Sequence, residues 1–255
     1  MSKSWDKRLY DAYISSGVAS VTKDTMAAHL SWRKPYIYKV IQEHIPADRD
    51  GRILDLGCGY GAFLYFLAQE GYGNLDGVDA SAEQVALAHD LGLAMVKNGE
   101  IYSYLKTLES GSVDVVLVMD VMAHFRRQAL FDMLDEVFRV LRPGEKYIAH
   151  VPNGAGLFAM RVRYGDLTHE LAFTQSSIQQ LFSVIGFSDI RCYEDKPVVH
   201  GPASALRRFI WSLGSLPVRV VMAAETGNRS AILYKNMTIS ALKPPVEENL
   251  SLRAV

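Results

Sequence analysis

The fold is decided by residues 53–61, which read Ile-Leu-Asp-Leu-Gly-Cys-Gly-Tyr-Gly. A short apolar run ends here in three glycines, and a helical pattern follows over residues 62–70. An apolar run of this length is typical of a buried parallel strand. Glycine is required where the chain turns sharply and its backbone must approach a ligand without a Cβ in the way. The stretch therefore predicts a strand, a glycine turn and a helix that together bind a nucleoside cofactor.

Strand and helix patterns alternate regularly after this turn. The predicted strands are residues 52–56, 75–78, 93–96, 113–119, 146–151, 187–193 and 234–242, and helical patterns lie between most of them. Thr174 is a predicted N-cap, and Gly186 ends the helix that begins there. Such alternation predicts a doubly wound, Rossmann-like α/β fold with a seven-stranded, mostly parallel sheet.

The length of 255 residues and the apolar content of 49% are sufficient for one substantial core. We expect one domain with elaborations rather than two domains. The predicted parts are an N-terminal helical cap (1–47), a cofactor-binding core (48–152), an acceptor-binding half (153–243) with a helical insertion (203–225), and a flexible tail (244–255).

Composition and charge indicate which partners and which cellular compartment to expect. The net charge is −1, so no global basic field attracts nucleic acid, and we expect none as a partner. Cys58 and Cys192 are far apart in sequence and have neither metal-ligand spacing nor a disulfide framework, which favours a reducing compartment. The start of the chain lacks a secretory pattern, and no long apolar run predicts a transmembrane helix. We expect a cytoplasmic protein, at most peripheral to the inner face of a membrane.

Two acidic residues decide between nucleoside cofactors. Asp79 ends the second predicted strand, where a carboxylate can accept both hydroxyl protons of an adenosine ribose. Residues 57–62 also satisfy the dinucleotide pattern G-x-G-x-x-G/A, so the glycines alone leave a nicotinamide-dependent oxidoreductase open. Asp55 disfavours it, because an acid at this place would repel a pyrophosphate but suits a cofactor with a positive amino acid end. A Tyr-x-x-x-Lys pair is also not evident in the second half of the chain.

Four segments, 53–61, 75–81, 113–125 and 141–145, resemble in order the successive motifs of class I S-adenosylmethionine-dependent methyltransferases. The resemblance covers about residues 52–151 and implies that the glycine turn holds the methionine moiety and Asp79 the ribose. It also implies an adenine site around residues 98–101, although the family usually has Asp where Glu100 stands. The cofactor-binding residues it predicts are Asp55, Gly57, Cys58, Gly59, Gly61, Asp79, Ala80, Gln84, Asn98, Gly99, Glu100, Ile101, Asp120 and Val121.

Methyl transfer to a hydroxyl usually requires a base, and histidine titrates near neutral pH. His29, His44 and His89 lie on predicted helices and are interpreted as surface or structural, and His150 is expected to pack inside a strand. His124 follows the fourth strand, with Ala123 where the resembled family commonly has Glu, and His169 lies in a polar loop with Asp166. The predicted catalytic residues are His169, His124 and Asp166. A cation held by Asp166, His169 and Glu170 was the alternative, but their spacing is not diagnostic and no metal is predicted.

Residues 151–187 resemble the region that follows the core in bacterial methyltransferases encoded with surface-polysaccharide biosynthesis. This resemblance implies O-methylation of a sugar or sugar-linked group, with His169 as general base. The acceptor-binding residues it predicts are Asn153, Arg161, Arg163, Tyr164 and Glu170. Two other functions stay open: O-methylation of a small molecule such as a quinone precursor or a phenol, and cofactor binding without turnover.

The insertion at 203–225 is amphipathic. Leu206, Phe209, Ile210, Leu213 and Val220 fall on one face, while the arginines at 207, 208 and 219 fall away from it, and Gly214 and Pro217 interrupt the middle. One interpretation is an interfacial helix pair, basic on its polar side, that rests on an anionic membrane and suits a lipid-linked glycan acceptor. The other is a lid or a homodimer contact, because apolar helical stripes are usually buried.

Overall fold

The computed structural model describes residues 8, 9 and 21–246. Parts of the predicted cap (1–7 and 10–20) and of the predicted tail (247–255) therefore lie outside the described residues. The helices are α1 Met26–His44, α2 Ala62–Gln69, α3 Ala82–Asp90, α4 Ile101–Leu105, α5 Arg127–Val140, α6 Ala159–Arg163, α7 Gln175–Ile185 and α8 Pro202–Thr226. The strands are β1 Ile53–Leu56, β2 Leu75–Asp79, β3 Val96–Asn98, β4 Val113–Met119, β5 Leu141–Pro152, β6 Ser188–Glu194 and β7 Asn236–Leu242.

The seven strands form one sheet in the order β3-β2-β1-β4-β5-β7-β6. β1 pairs in parallel with both β2 and β4, while β7 lies antiparallel between β5 and β6. The predicted Rossmann-like fold with a mostly parallel sheet is therefore confirmed. The strand order reverses between β1 and β4, and in open α/β sheets ligands bind at the carboxyl ends of the strands beside such a reversal.

Helices cover both faces of the sheet, so its central strands are buried throughout. Alternate residues of β1 point to opposite faces, with Leu54 and Leu56 in one core cluster and Ile53 in the other. The first cluster includes Leu134 of α5, and the second includes Leu64 of α2. Burial on both faces explains why β1 and β4 read as continuous apolar runs rather than as alternating ones.

The largest differences between predicted and observed elements are in β3, β5 and α8. β3 begins at Val96 rather than at residue 93, because the Leu93 amide closes the end of α3 by donating to the Ala88 carbonyl oxygen at 3.0 Å. β5 begins at Leu141, five residues before the predicted start. α8 is one continuous helix across Pro217 rather than an interrupted pair.

α8 contacts the rest of the domain through its polar side. The Arg208 guanidinium donates to the Pro197 carbonyl oxygen at 3.3 Å, and Arg219 forms an ion pair with Glu194 at 2.6 Å. These contacts hold both halves of the helix against the domain through its polar side, so the apolar side faces outward. In the described part of the chain, no helix combines the length and the apolarity that a membrane span requires.

Candidate active site

A cavity of about 920 Å³ opens at the carboxyl edge of β1, β2 and β4. One end is formed by the glycine turn after β1, the residues that follow β2, and the start of α4. The other end is formed by α1, residues 119–126, and two positions, Thr168 and Glu170, of the loop after α6. We call these the cofactor end and the acceptor end.

The glycine turn has a backbone that only glycine adopts without strain. Gly57, Gly59 and Gly61 have φ values of 71°, 57° and 78°, which lie in the left-handed region. A Cβ on Gly57 would lie 2.4 Å from Cγ2 of Val121, and one on Gly61 would lie 2.4 Å from Cδ1 of Leu93. Gly57 and Cys58 line the cavity, whereas Gly61 does not and serves the packing of the turn instead.

The Asp79 carboxylate is held by the backbone on both sides. Its Oδ2 accepts from the Gly59 amide and its Oδ1 from the Ser81 amide, each at 2.8 Å. Burial raises the pKa of this carboxyl, and the two amide hydrogen bonds oppose that rise. The Asn98 side chain and the Gly99 amide both donate to the Asp79 carbonyl oxygen at 3.0 Å. These last two residues position Asp79 and do not line the cavity, although both were predicted around the adenine.

Two buried acceptors at the cofactor end, Oδ1 of Asp55 and Oε1 of Gln84, have no donor among the described residues. Oδ1 of Asn236 is a third such acceptor elsewhere in the cavity wall. Burial and the nearby Asp79 raise the pKa of Asp55 to about 7. An acceptor that is buried without a partner is costly, so these atoms fit a ligand that brings donors. An amino group and ribose hydroxyls are such donors, and S-adenosylmethionine carries both.

Five other residues that were predicted to bind the cofactor lie on the cavity wall. Ala80, Glu100, Ile101, Asp120 and Val121 line the cavity. The acid at position 100, which is Glu rather than the usual Asp, therefore faces the cavity, as its predicted role at the adenine requires.

An ion-pair network centred on the buried side chain of His150 lies beside the acceptor end. His150 is 5% exposed, and its Nδ1 lies 2.5 Å from Oδ1 of Asp120 and its Nε2 3.0 Å from Oδ2 of Asp195. Burial alone would lower the pKa of His150, but the two carboxylates outweigh it and raise the pKa to about 10. For Asp120 the directions are reversed, since burial alone would raise the pKa of a carboxyl. The charge and hydrogen bond of His150 outweigh burial and lower the pKa of Asp120 to about 2. The predicted packing role of His150 is thus too simple, because the side chain is a buried imidazolium.

Asp120 itself has an unusual backbone. Its φ is 62°, in the left-handed region that non-glycine residues rarely adopt. Its side chain is 54% exposed because it faces the open cavity. Strain of this kind persists where the surrounding structure imposes it, and it is concentrated at functional sites.

One stripe of α1 lines the cavity and was missed as a functional feature. His29, Arg33 and Tyr36 lie on the wall at helical spacing, so the interpretation of His29 as surface or structural is incomplete. Arg33 is among the charges that lower the pKa values of Asp55 and Asp120. The 29–33–36 spacing was the signal that could have revealed this stripe.

The predicted catalytic residues form one cluster. The Thr168 hydroxyl donates to Oδ1 of Asp166 at 2.6 Å and therefore accepts from Nδ1–H of His124 at 2.8 Å. The His124 ring also has a hydrogen bond to the backbone of Asp120. Burial and the nearby His169 lower the pKa of His124, so its imidazole is neutral at pH 7. His124 lines the cavity, whereas Asp166 and His169 lie behind it.

His169 supports this cluster from outside the wall. Its ring centroid is 4.7 Å from that of His124, and its Nδ1 lies 3.0 Å from the carbonyl oxygen of Val162. The ligand atoms of His124, Asp166 and His169 lie within 4.8 Å of one another, so these are the described residues that could hold a metal ion. Glu170, part of the metal alternative in the sequence, is not in this group.

The predicted acceptor-binding residues are placed differently from one another. Glu170 lines the cavity, with a carboxylate oxygen 3.8 Å from Nε of Arg126. Asn153 is 1% exposed, and its amide nitrogen donates to the carbonyl oxygens of Ile232 and Tyr234 at 2.8 Å, so its role is structural. The Arg163 guanidinium donates to backbone carbonyls of the 169–170 segment and holds that loop.

The other two of these residues also lie outside the wall. Arg161 does not line the cavity, and Tyr164 is largely exposed, with its ring 5.1 Å from the Arg163 guanidinium. The sequence could not show that the Arg163 guanidinium, predicted to bind the acceptor, donates to backbone carbonyls instead.

Comparisons with known proteins agree with this geometry. A family model described as a methyltransferase domain matches residues 53–144. A tRNA U34 carboxymethyltransferase from Hydrogenovibrio crunogenus is 24% identical over 177 residues, which is 64% of this chain and 52% of the relative. The chain thus spans about half the length of the curated relative that it matches.

Solved structures share the fold. A SAM-dependent methyltransferase from Archaeoglobus fulgidus superposes with a TM-score of 0.63 at 20% identity, covering 83% of this chain and 94% of its own. The phosphoethanolamine N-methyltransferase 2 of Haemonchus contortus, in complex with S-adenosyl-L-methionine, gives a TM-score of 0.62 at 17% identity, covering 92% and 60%. The matched model, the shared fold and the unpaired acceptors of the cofactor end lead to one conclusion. The core of this chain is a class I S-adenosylmethionine-dependent methyltransferase domain, with S-adenosylmethionine as its cofactor.

Proposed function

We propose that this chain transfers the methyl group of S-adenosylmethionine to a hydroxyl of a carbohydrate or lipid-linked glycan in bacteria. The single observation that carries the proposal is the His124–Thr168–Asp166 hydrogen-bond chain, whose imidazole lies on the wall of the cavity that holds the cofactor. A hydroxyl is a poor nucleophile until its proton is removed. A neutral imidazole oriented by a carboxylate is suited to that task.

The transfer is an in-line displacement. The hydroxyl oxygen attacks the methyl carbon and forms the O–CH₃ bond, while the S–CH₃ bond breaks and its electron pair returns to sulfur. The hydroxyl proton passes to the imidazole of His124, which is hydrogen-bonded to Thr168. Asp166, through Thr168, stabilises the imidazolium that forms. The role assigned to His169 in the sequence thus moves to His124, with His169 as a neighbour that keeps its pKa low.

The composition of the acceptor end supports a sugar over an apolar small molecule. Glu170, Arg126 and Asn236 supply charged and amide groups to the wall, and Trp32 and Phe125 supply aromatic faces. Hydrogen-bonding groups beside aromatic faces suit a polyhydroxylated ring. The resemblance of residues 151–187 to methyltransferases of surface-polysaccharide biosynthesis also supports this class of acceptor.

The test measures base function and cofactor binding separately. For His124→Ala we expect kcat to fall about 100-fold or more, since general-base catalysis contributes at least that much. Affinity for S-adenosylhomocysteine should stay within about threefold, because the cofactor end is unchanged. The matched control is His89→Ala, which removes a histidine that does not line the cavity. Full turnover of His124→Ala would exclude His124 as the base.

The acceptor class requires its own assay. Purified chain and methyl-labelled S-adenosylmethionine should be offered lipid-linked glycans, phenolic quinone precursors and tRNA in parallel. Label in the glycan alone is the expected result. Label in the phenols would establish the small-molecule alternative, and label in tRNA would align this chain with its curated relative. Cofactor binding with no label in any acceptor would favour the non-catalytic alternative.

A further inference from the structure

The outer side of α8 is a continuous apolar surface with no partner among the described residues. Its large apolar side chains are each 54–63% exposed, and we call them the α8 stripe: Leu206, Phe209, Ile210, Leu213, Leu216, Val220 and Val221. Scattered exposed apolar residues are normal in soluble proteins, but a contiguous apolar patch marks an interaction surface.

The orientation of the stripe is imposed by the domain. Arg219 on the inner side donates to both carboxylate oxygens of Glu194 at 2.6 Å and to the Ala231 carbonyl oxygen at 2.7 Å. Ser204 and Ser215, also on the inner side, are 3% and 2% exposed. Turning the apolar side of α8 inward would break the ion pair between Arg219 and Glu194, whose side chain is only 9% exposed. The α8 stripe is therefore a fixed outer surface of the domain.

A groove of about 550 Å³ lies beside the first half of α8. It is bounded by α1, by residues 196–200 and by Arg208, and we call it the basic groove. Its charged lining residues are Lys34, Lys39, Lys196, Arg208 and Glu43. Lys39 lies near the carboxylates of Glu43 and Asp195, and Lys196 pairs with Glu194, so the positive charge without a carboxylate partner among the described residues comes from Lys34 and Arg208. Val199 in the groove wall is an exposed apolar residue. Arg208 of the groove directly precedes Phe209 of the stripe in α8, so the two surfaces are neighbours on this helix.

The charges of α8 discriminate between partners. From residue 202 to residue 224 the helix has three arginines and no acidic residue, and its first carboxylate is Glu225. Arg219 is paired with Glu194, but Arg207 is exposed and Arg208 lines the groove. In a symmetric pair of copies these two cations would lie close to their own counterparts. An anionic surface would instead complement them together with Lys34 of the groove.

We propose that the α8 stripe and the basic groove dock this chain on a membrane that contains anionic phospholipids. The stripe enters the boundary between headgroups and acyl chains, and the groove takes lipid phosphates. The basic contribution comes from α1 as well as from α8, unlike the sequence interpretation, which relied on the arginines of the insertion. Docking deepens the proposed function, because it would bring the cavity to a lipid-linked acceptor, but it does not depend on the identity of that acceptor.

Vesicle co-sedimentation of the full chain tests the proposal. We expect binding to vesicles of phosphatidylcholine with phosphatidylglycerol, and at least about tenfold weaker binding to phosphatidylcholine alone, because electrostatic attraction adds to apolar burial. Leu213→Glu should weaken binding to the mixed vesicles at least about tenfold. The matched control is Val184→Glu, which places the same charge at an equally exposed apolar position on α7.

A second pair of variants tests the groove. Lys34→Glu should weaken binding to the mixed vesicles and reduce its dependence on salt, whereas Lys106→Glu, an exposed lysine outside the groove, should not. Affinity for S-adenosylhomocysteine verifies that every variant is folded. Methyl transfer to a soluble acceptor should be unchanged in Leu213→Glu, so loss of docking and loss of the proposed function are distinguishable.

Three results would overturn the docking proposal. They are no binding to the mixed vesicles, binding that Leu213→Glu and Val184→Glu weaken equally, and a dimeric mass by light scattering that becomes monomeric in Leu213→Glu. The last would identify a second copy of the chain as the partner of the α8 stripe.

Discussion

The two ends of the cavity are built in different ways. At the cofactor end, backbone amides from two consecutive strand–helix turns, those of Gly59 and Ser81, hold the Asp79 carboxylate. At the acceptor end, side chains from separate parts of the chain meet, such as Tyr36 of α1 and His150 of β5. The comparison teaches that a cofactor common to many enzymes is bound by local backbone geometry, whereas acceptor recognition depends on distant side chains.

The largest effect is expected from Asp79→Ala at the cofactor end. The variant removes the carboxylate that orders the Gly59 and Ser81 amides and is expected to bind the ribose. Two charge-assisted hydrogen bonds are worth about 4 kcal/mol, so affinity for S-adenosylhomocysteine should fall about 1,000-fold in calorimetry. Asp90→Ala, which removes a carboxylate outside the cavity, is the control, and equal affinity in both variants would remove Asp79 from the site.

The next effect lies at the acceptor end. His150→Leu leaves Asp120 and Asp195 without their shared cation, which should cost about 3 kcal/mol in free energy of unfolding. His150→Gln, which keeps a donor, should cost less. Chemical denaturation near pH 6 measures both, and no loss of stability in His150→Leu would show that the network is not stabilising.

The contribution of His150 to the free energy of unfolding depends on pH. The pKa of His150 is raised to about 10, so its contribution to stability is complete below its unfolded value near 6.5 and is lost as the pH rises through about 10. The difference in stability between the wild type and His150→Leu should therefore shrink above neutral pH. A difference that grows with pH would contradict the assignment of a buried imidazolium.

A smaller effect on stability is expected from Gly57→Ala in the glycine turn. Control variants separate its two causes, backbone strain and steric overlap of the new Cβ. Gly57→Ala should lose about 2 kcal/mol of stability, because it combines a left-handed φ with a Cβ only 2.4 Å from Val121. Gly92→Ala is the matched control, since Gly92 has a φ of 83° and open space around its Cβ position. Adding Val121→Ala should restore only the overlap part, and complete rescue would mean that strain is negligible.

The smallest effect is a pH profile of cofactor binding. The Asp55 carboxyl, with a pKa of about 7 beside Asp79 and Arg33, must ionise to accept an ammonium group. Affinity for S-adenosylhomocysteine should therefore rise about tenfold from pH 6 to pH 8. Asp55→Asn should bind more weakly and show a flat profile, and a persistent slope in that variant would assign the titration to another group.

The cofactor end could be predicted from the sequence because its determinants are local. An apolar run followed by glycines has few alternative structures, and Asp79 ends a strand whose position follows from periodicity. The same reasoning identified His124 and Asp166 as candidate catalytic residues, and Thr168 lies in the same short loop as Asp166. It could not predict the hydrogen bonds that join the three side chains, because 42 residues separate His124 from Asp166 along the chain.

The sequence by itself determined the strand–helix alternation, the glycine turn and the amphipathicity of α8, because each depends on spacing along the chain. Only the tertiary structure decided that α1 lines the cavity, that His150 bridges two carboxylates, and that the apolar side of α8 faces outward. The physical reason is the same for the last two. A buried carboxylate requires a cation, so Asp195 and Glu194 determine where His150 and Arg219 point, and no local pattern encodes that choice.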